Sequence, residues 1–277
     1  MNGFILLDKP EGITCARIDQ LVKKWSGEKT AHVGTLDPNV SGVLPLLIGK
    51  KAIKLLEYLQ QSEKEYICLM KVNAEKQDIE KLLEEFTGKV YQKPPKLSAV
   101  SKKIRVRKIY RTRLLDSEGD YFLFQVTCQH GTYIRTLVKD IGRVLGKNAK
   151  MIELRRTRSN GFKEPECVPL IRVKDALELN AQGKKGPEGV LLPLEETVRS
   201  LPKVIIKDSA AKNVIKGAPL MAPGIIKVEG HVQKDKTVAI LTEDRQLLAV
   251  GRMMFDKGNF PERGIITKTE KVILEKL

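Results

Sequence analysis

The pattern of apolar residues changes near residue 201, and this change limits the possible folds more than any other feature of the chain. Before it, some segments place apolar residues at helical spacing and others alternate, which is typical of a mixed α/β domain. After it, short apolar runs are separated by glycine and proline turns, which is typical of a small β-barrel. We therefore expect an α/β mixed (α+β) domain over residues 1–200 and a β-barrel over residues 201–277.

Individual elements are predicted from the same pattern. In the first domain we expect helices at residues 14–25, 50–60, 77–86, 132–145 and 170–179, and strands at 4–7, 66–72 and 121–128. Residues 29–49 are expected to be mostly loop, because they contain the turn-forming residues Gly34, Pro38, Gly42, Pro45 and Gly49. In the second domain we expect strands at 204–206, 225–228, 237–241, 247–250 and 265–267, and a helix at 209–216.

The charge of the chain points to a class of partner. Its 50 Lys and Arg residues outnumber 34 Asp and Glu residues, and the formal charge is +16. Such an excess favours polyanions, because basic side chains release counterions when they contact phosphates. Nucleic acid is the leading partner class, although a solvated lysine-rich surface has a similar composition.

Several other classes of protein are disfavoured. No segment approaches the run of about 18 to 20 apolar residues that a membrane span requires. The 4 cysteines form no CxxC pair, so neither a metal site nor a disulfide framework is predicted. The first residues, MNGFILLDKPEG, do not continue as the apolar core of a signal peptide. We expect a cytoplasmic protein with no membrane partner and no bound metal.

Basic residues are concentrated between residues 102 and 113, where no acidic residue occurs. Arg105 and Arg107 alternate with apolar residues, which predicts a strand with one basic face. That face could follow a phosphate backbone, but an ordinary solvated edge strand fits the pattern nearly as well. The candidate RNA contacts in this segment and in a second basic cluster are Arg105, Arg107, Lys108, Arg155 and Arg156.

Asp37 is the residue that most suggests chemistry. It precedes Pro38, and a residue before proline is biased to an extended backbone, which limits the directions of its carboxylate. A carboxylate held in a loop can act as a nucleophile or as a proton acceptor. A turn-forming Asp-Pro pair would explain an isolated dipeptide equally well, so the surrounding residues must decide.

The residues around Asp37 read AHVGTLDPNVSGVLP and closely resemble the catalytic motif of the TruB-type pseudouridine synthases. Three more segments resemble motifs of this family, in the family's order: DKPEGIT at residues 8–14, KEY at 64–66 and GTYIRTL at 131–137. PPKLSAV at 94–100, RVRKIY at 105–110 and LRRTR at 154–158 are similar to the archaeal and eukaryotic, dyskerin-like branch, which works in box H/ACA ribonucleoproteins. The segment after residue 201 resembles a PUA domain, an RNA-binding β-barrel.

The resemblance implies an enzyme that isomerises uridine to pseudouridine in RNA and needs no cofactor. It also implies a pseudouridine synthase fold with a central antiparallel sheet beside the PUA barrel. The expected substrate is ribosomal RNA selected by a box H/ACA guide RNA, and the T-loop uridine of transfer RNA is a second candidate. Two alternatives stay open: a stand-alone transfer RNA pseudouridine synthase and a non-catalytic RNA-binding scaffold.

The same resemblance implies roles for individual residues. Asp37 matches the catalytic carboxylate, Arg135 matches the arginine that pairs with it, and Tyr66 matches the aromatic residue that stacks on the target base. The residues expected to bind the substrate or to shape its pocket are His32, Lys9 and Leu154.

Partner proteins are implied by the resemblance alone. They are small Nop-type and Gar-type subunits and a kink-turn binding protein, which assemble with guide RNA in the box H/ACA branch. The chain departs from the family at Cys15, where a serine is usual, and it begins almost at the DKP motif. Whether every family partner binds is therefore left open by the sequence.

Overall fold

The computed structural model describes residues 1–93 and 103–274. The PPKLSAV motif at residues 94–100 lies outside these residues. The helices are α1 (Cys15–Ser26), α2 (Lys50–Ile53), α3 (Leu56–Gln60), α4 (Lys76–Glu85), α5 (Ile134–Val144), α6 (Leu170–Ala181) and α7 (Asp208–Val214).

The first sheet forms the centre of the molecule. Its strands are β1 (Gly3–Lys9), β2 (Thr30–His32), β3 (Ser41–Ile48), β4 (Lys64–Lys71), β5 (Gly88–Gln92), β6 (Arg105–Glu118), β7 (Tyr121–Cys128), β8 (Lys150–Ser159), β9 (Phe162–Lys163) and β10 (Val168–Pro169). They pair in the order β10-β1-β3-β8-β4-β7-β6-β5, with β2 on β3 and β9 on β8. The pairing is antiparallel except between β1 and β10 and between β3 and β8, so the expected central antiparallel sheet is confirmed with two parallel pairs.

One face of this sheet is covered by helices. Buried and less buried residues alternate along β4 and β7, as expected for strands that pack on one face. Their buried residues join those of α1, α4, α5 and α6 in one apolar cluster. By contrast β1 is apolar and buried almost throughout, because both of its faces are covered.

Most helices begin and end near their expected positions. α1 begins after Thr14, whose side chain accepts a hydrogen bond from the Arg17 N–H at 3.1 Å and caps the helix. The single helix expected at residues 50–60 is divided into α2 and α3. The helix expected at residues 209–216 begins one residue earlier, as α7.

The expectation of a loop over residues 29–49 is wrong for its second half, which forms the fully buried strand β3. Pro45 suggested a break, because proline has no N–H to donate within a sheet. The Pro45 carbonyl accepts from the Val33 N–H at 2.8 Å, on the side of β3 opposite β1. Since the N and C=O groups of one residue point to the same side of a strand, the missing donor leaves the pairing with β1 intact.

The second sheet contains β11 (Lys203–Ile206), β12 (Leu220–Met221), β13 (Ile225–Glu229), β14 (Thr237–Leu241), β15 (Leu247–Met253) and β16 (Ile265–Val272). They pair in the order β12-β16-β15-β14-β11-β13. The two end strands, β12 and β13, are joined by a single turn at residues 222–224, so the sheet curls back on itself. The domain boundary expected between residues 200 and 201 stays a prediction. No helix in the described parts of the chain is long and apolar enough to cross a membrane.

Candidate active site

Asp37 and Arg135 meet at the edge of the first sheet. Asp37 lies in the loop between β2 and β3, and its carboxylate Oδ2 accepts a hydrogen bond from Nη2 of Arg135. Arg135 is in the first turn of α5, where the helix dipole also favours a nearby negative charge. The Asp37 side chain is 54% exposed and that of Arg135 is 40% exposed. The ion pair is therefore open to a ligand.

The Lys9 side chain is bonded to the backbone of the Asp37 loop. Its side chain is fully buried, and Nζ donates to the carbonyls of Pro10, Pro38 and Val40 at 2.8, 2.9 and 2.9 Å. Burial lowers the pKa of Lys9. An ammonium has three N–H groups, and all three are used by backbone carbonyls. Lys9 thus holds the backbone of the Asp37 loop, and its Nζ has no N–H left to donate to a substrate.

Arg156 is bonded to the backbone before and after Asp37. Its side chain is 1% exposed, Nε donates to the Val43 carbonyl at 2.7 Å, and Nη1 donates to the Gly34 carbonyl at 2.9 Å. These two carbonyls bracket Asp37 along the chain. The expectation that Arg156 binds RNA phosphates is at odds with this burial, because phosphates cannot reach a guanidinium enclosed by protein. Its Nη2 is buried with no acceptor among the described residues.

Gly42 allows this arrangement. Its backbone has a φ of +103°, and a Cβ at this position would lie 2.2 Å from the Arg156 carbonyl oxygen. Only glycine fits both the dihedral angle and the close approach of β3 to β8. The glycine that suggested a loop is therefore what lets β3 pair with β8.

Tyr66 and Leu154 lie on neighbouring strands beside Arg156. Tyr66 on β4 is 9% exposed and pairs in register with Arg156, and Leu154 on β8 is 6% exposed. Burial raises the pKa of the Tyr66 hydroxyl, the Arg156 guanidinium opposes that rise, and the Asp37 carboxylate adds to it. The phenol thus lies within electrostatic range of both groups.

His32 is held by a residue that sequence reasoning missed. Its Nδ1 lies 2.7 Å from Oδ2 of Asp19 on α1, and its Nε2 lies 2.9 Å from Oγ1 of Thr35. A carboxylate beside one ring nitrogen fixes the ring orientation and the tautomer. Asp19 carried no signal in the sequence beyond a polar position on α1, because its contact with His32 depends on how α1 packs against β2.

Lys64, the first residue of the KEY motif, was given no role from the sequence. Its side chain is buried, and Nζ donates to the Ser62 carbonyl and to Oδ1 of Asn160, both at 3.1 Å. Burial, together with the charge of the nearby Arg156, lowers the pKa of Lys64 to about 7. A buried amine that titrates near neutral pH therefore lies next to Arg156, and in the KEY motif it is two residues from Tyr66.

Of the remaining basic candidates, Arg155 is held in ion pairs and the other three lie on β6. Arg155 pairs with Asp8, at 3.0 Å, and with Glu164, so its charge is balanced within the protein. On β6, Arg105 and Arg107 are half-buried and share one face, whereas Lys108 is on the more exposed face. Arg107 donates to the carbonyl of Gly131 at 3.3 Å, just before α5. Arg105 and Arg107 therefore share one face of a strand, as the alternation predicted, while Lys108 lies on the other face.

Comparisons with protein families and with curated proteins find matches over nearly the whole chain. The family model "TruB family pseudouridylate synthase (N terminal domain)" matches residues 22–134, "tRNA pseudouridylate synthase B C-terminal domain" matches 135–199, and "PUA domain" matches 202–272. A probable tRNA pseudouridine synthase B of Archaeoglobus fulgidus is 42% identical over 99% of this chain and 86% of its own length. One from Picrophilus torridus is 40% identical over 99% of this chain and 79% of its own length.

Solved structures are similar over nearly the whole chain. A Cbf5-Nop10-Gar1 complex has a TM-score of 0.89 at 39% identity, covering 98% of this chain and 85% of the matched chain. An H/ACA RNP bound to a substrate RNA containing 2'-deoxyuridine has a TM-score of 0.88 at 38% identity, with coverage of 98% and 85%. Family models, relatives and structures agree, and the chain therefore belongs to the TruB family of pseudouridylate synthases, with a C-terminal PUA domain.

Proposed function

We propose that this pseudouridine synthase uses Asp37 as its essential carboxylate. The observation that carries the proposal is the solvent-open Asp37–Arg135 ion pair, whose carboxylate is near enough to the buried Tyr66 to raise the pKa of its hydroxyl. The reaction breaks the bond between uracil N1 and ribose C1′, turns the base, and joins C5 to C1′. The target nucleotide must leave its stack, at a cost of a few kcal/mol that pocket contacts offset.

Each neighbour of Asp37 has a distinct role in this proposal. The fork of Arg135 keeps the carboxylate ionised and aimed at the nucleotide. Tyr66 offers an aromatic face to the base, with Leu154 below it. His32, oriented by Asp19, stacks in the RNA at the position that the flipped base leaves. Asp37 can attack the sugar, attack the base or remove a sugar proton in this arrangement.

The substrate is proposed to be RNA selected by a box H/ACA guide. The similar solved structures support this, because they are a complex with Nop10 and Gar1 and an H/ACA RNP with substrate RNA. Small Nop-type and Gar-type subunits and a kink-turn binding protein are the proposed partners. The curated relatives named tRNA pseudouridine synthase B support the alternative of unguided transfer RNA as substrate. The cytoplasmic location stays a prediction.

Replacement of Asp37 tests the catalytic assignment. Tritium release from RNA that carries 5-tritiated uridine reports the reaction, since the C5 hydrogen leaves when C5 joins the ribose. We expect Asp37→Asn to release no tritium while it binds the same RNA with an affinity close to that of the wild type. Turnover by Asp37→Ala would contradict the assignment, and inactivity of the wild type on guided and unguided RNA alike would favour the non-catalytic scaffold.

The same assay distinguishes the two substrates. The wild type is given a guided ribosomal RNA segment, with guide RNA and partner proteins, and separately an unguided transfer RNA. Faster tritium release from the guided RNA supports the box H/ACA assignment. Equal or faster release from transfer RNA alone supports the stand-alone enzyme instead.

A further inference from the structure

Helix α5 carries a row of basic side chains that leads away from Asp37. Arg135, Lys139 and Arg143 are four residues apart, so they lie on one face of the helix and rise by about 6 Å per step. Together with Lys147 and Lys150 they line a groove of ≈490 Å³. The other described residues that line it are Asn148, Ala149 and Met151. No acidic residue of the described chain lines the groove. We call this feature the α5 groove.

The turn after α5 completes the groove. Gly146 has a φ of +65°, and the Lys147 N–H donates to the Gly142 carbonyl at 2.8 Å, which is the hydrogen-bond pattern of a Schellman turn. A Cβ at residue 142 would lie 2.7 Å from the Lys147 carbonyl oxygen, so the turn can fold this closely onto the helix only because residue 142 is glycine. This fold brings Lys147 and Lys150 beside Arg143.

The charge of the α5 groove exceeds what the fold requires. Arg135 pairs with Asp37, and Arg143 pairs with Asp140 at 2.6 Å. Basic residues near a helix C-terminus are stabilised by the helix dipole, which accounts for Arg143 and Lys147. It does not account for Lys139 in the middle of α5 or for Lys150 on β8, and neither has a carboxylate partner among residues 1–93 and 103–274.

We propose that the α5 groove binds the phosphates of the RNA strand next to the target nucleotide. This inference rests on the proposed function, because the groove begins at Arg135, the partner of Asp37. A nucleotide that reaches Asp37 must leave its stack, which costs least where the RNA is already single-stranded, so we take the adjoining strand to be single. One row of cations about 6 Å apart suits successive phosphates of one strand, whereas a duplex offers two strands.

A double variant, Lys139→Gln with Lys150→Gln, tests the proposal. The control is Lys24→Gln with Lys184→Gln, which removes two exposed lysines from α1 and from the loop after α6. The probe is a fluorescein-labelled oligouridylate of about 12 nucleotides, within the range of single-strand site sizes. Anisotropy titrations of the full chain give Kd across a series of KCl concentrations. Circular dichroism of each variant checks that the fold is kept.

We expect the α5 groove variant to lose about 1.4 from the slope of log K against log salt, since each single-strand phosphate contact contributes about 0.7. If binding converges with the wild type near 1 M salt, this slope implies affinity about 25-fold weaker near 0.1 M. An unchanged slope, or an equal loss in the control, would overturn the proposal. Binding does not depend on turnover, so absence of pseudouridine formation would count against the proposed function alone.

Discussion

Replacing Arg156 with methionine should both destabilise the protein and slow its reaction. Methionine keeps a long apolar side chain but removes the donors that hold the carbonyls of Gly34 and Val43. These carbonyls lie on either side of Asp37 in the chain. The variant therefore removes a support of the Asp37 loop and a charge next to Tyr66, while it leaves the Asp37 carboxylate in place.

The expected change in the free energy of unfolding has two opposing contributions. A buried carbonyl left without a donor costs about 1–3 kcal/mol, so two of them cost about 2–6 kcal/mol. Removing the guanidinium also relieves the cost of burying a charge, since no carboxylate pairs with Arg156 in the described chain and Nη2 lacks an acceptor. We expect a net loss of about 2–4 kcal/mol in the free energy of unfolding. A loop displacement of about 1 Å would lower kcat by up to about 100-fold.

Urea unfolding followed by the fluorescence of Trp25, the only tryptophan in the chain, measures the first effect. Arg158→Met is the matched control, because Arg158 is on the same strand and pairs with Glu63 at 2.6 Å near the surface. The control should lose about 1 kcal/mol or less. Single-turnover tritium release measures the second effect. Arg156→Lys can donate to one of the two carbonyls, so its rate should lie between those of the wild type and Arg156→Met. If Arg156→Met unfolds and reacts like the control, the reasoning is refuted.

Two further predictions concern Lys64 and His32. Burial and, to a lesser extent, the charge of Arg156 lower the Lys64 pKa from 10.5 to about 7, while Cys128 and Glu63 oppose this shift. Between pH 7 and 10.5 the unfolded chain then binds more protons than the folded protein, so stability should rise with pH in this window. The urea midpoint of Lys64→Met should rise less with pH than that of the wild type. Equal slopes of urea midpoint against pH in the two proteins would contradict this prediction. Asp19→Asn should raise KM for RNA several-fold and leave kcat nearly unchanged, with no added effect in a His32→Ala background. Additive effects would show that the carboxylate does not act through the imidazole.

Local sequence patterns predicted most elements of the fold, because burial on one face leaves a periodic trace. The alternation in β7 predicted its bounds, Tyr121–Cys128, without error. Contacts between distant segments leave no such trace. Asp37 and Arg135 are 98 residues apart, and only the motif resemblance, not spacing or charge, indicated that they meet.

The two adjacent arginines of the LRRTR motif were both expected to contact RNA, although the geometry of a strand argues against it. Neighbouring residues of a strand point to opposite faces of the sheet, so Arg155 and Arg156 cannot both face the same RNA. The structure buries Arg156 and leaves Arg155 paired with Asp8. Periodicity alone could have predicted one inward arginine, but which one depends on the register between β8 and its neighbours, and that register is not local information.

The Asp37 loop is attached to both halves of the molecule through rigid strands. On β1, Phe4 and Leu6 pack in an apolar cluster with second-sheet residues such as Leu241 and Val250. Ile5 and Leu7, on the other face of β1, belong to the cluster under the helices. β1 then ends at Lys9, which holds the Asp37 loop. β3, which leaves that loop, divides its buried residues between the same two clusters. A strand packed on both faces cannot shift without opening a core. An RNA bound to the second domain would therefore meet the Asp37 carboxylate at a fixed distance, which a flexible linker between the domains could not ensure.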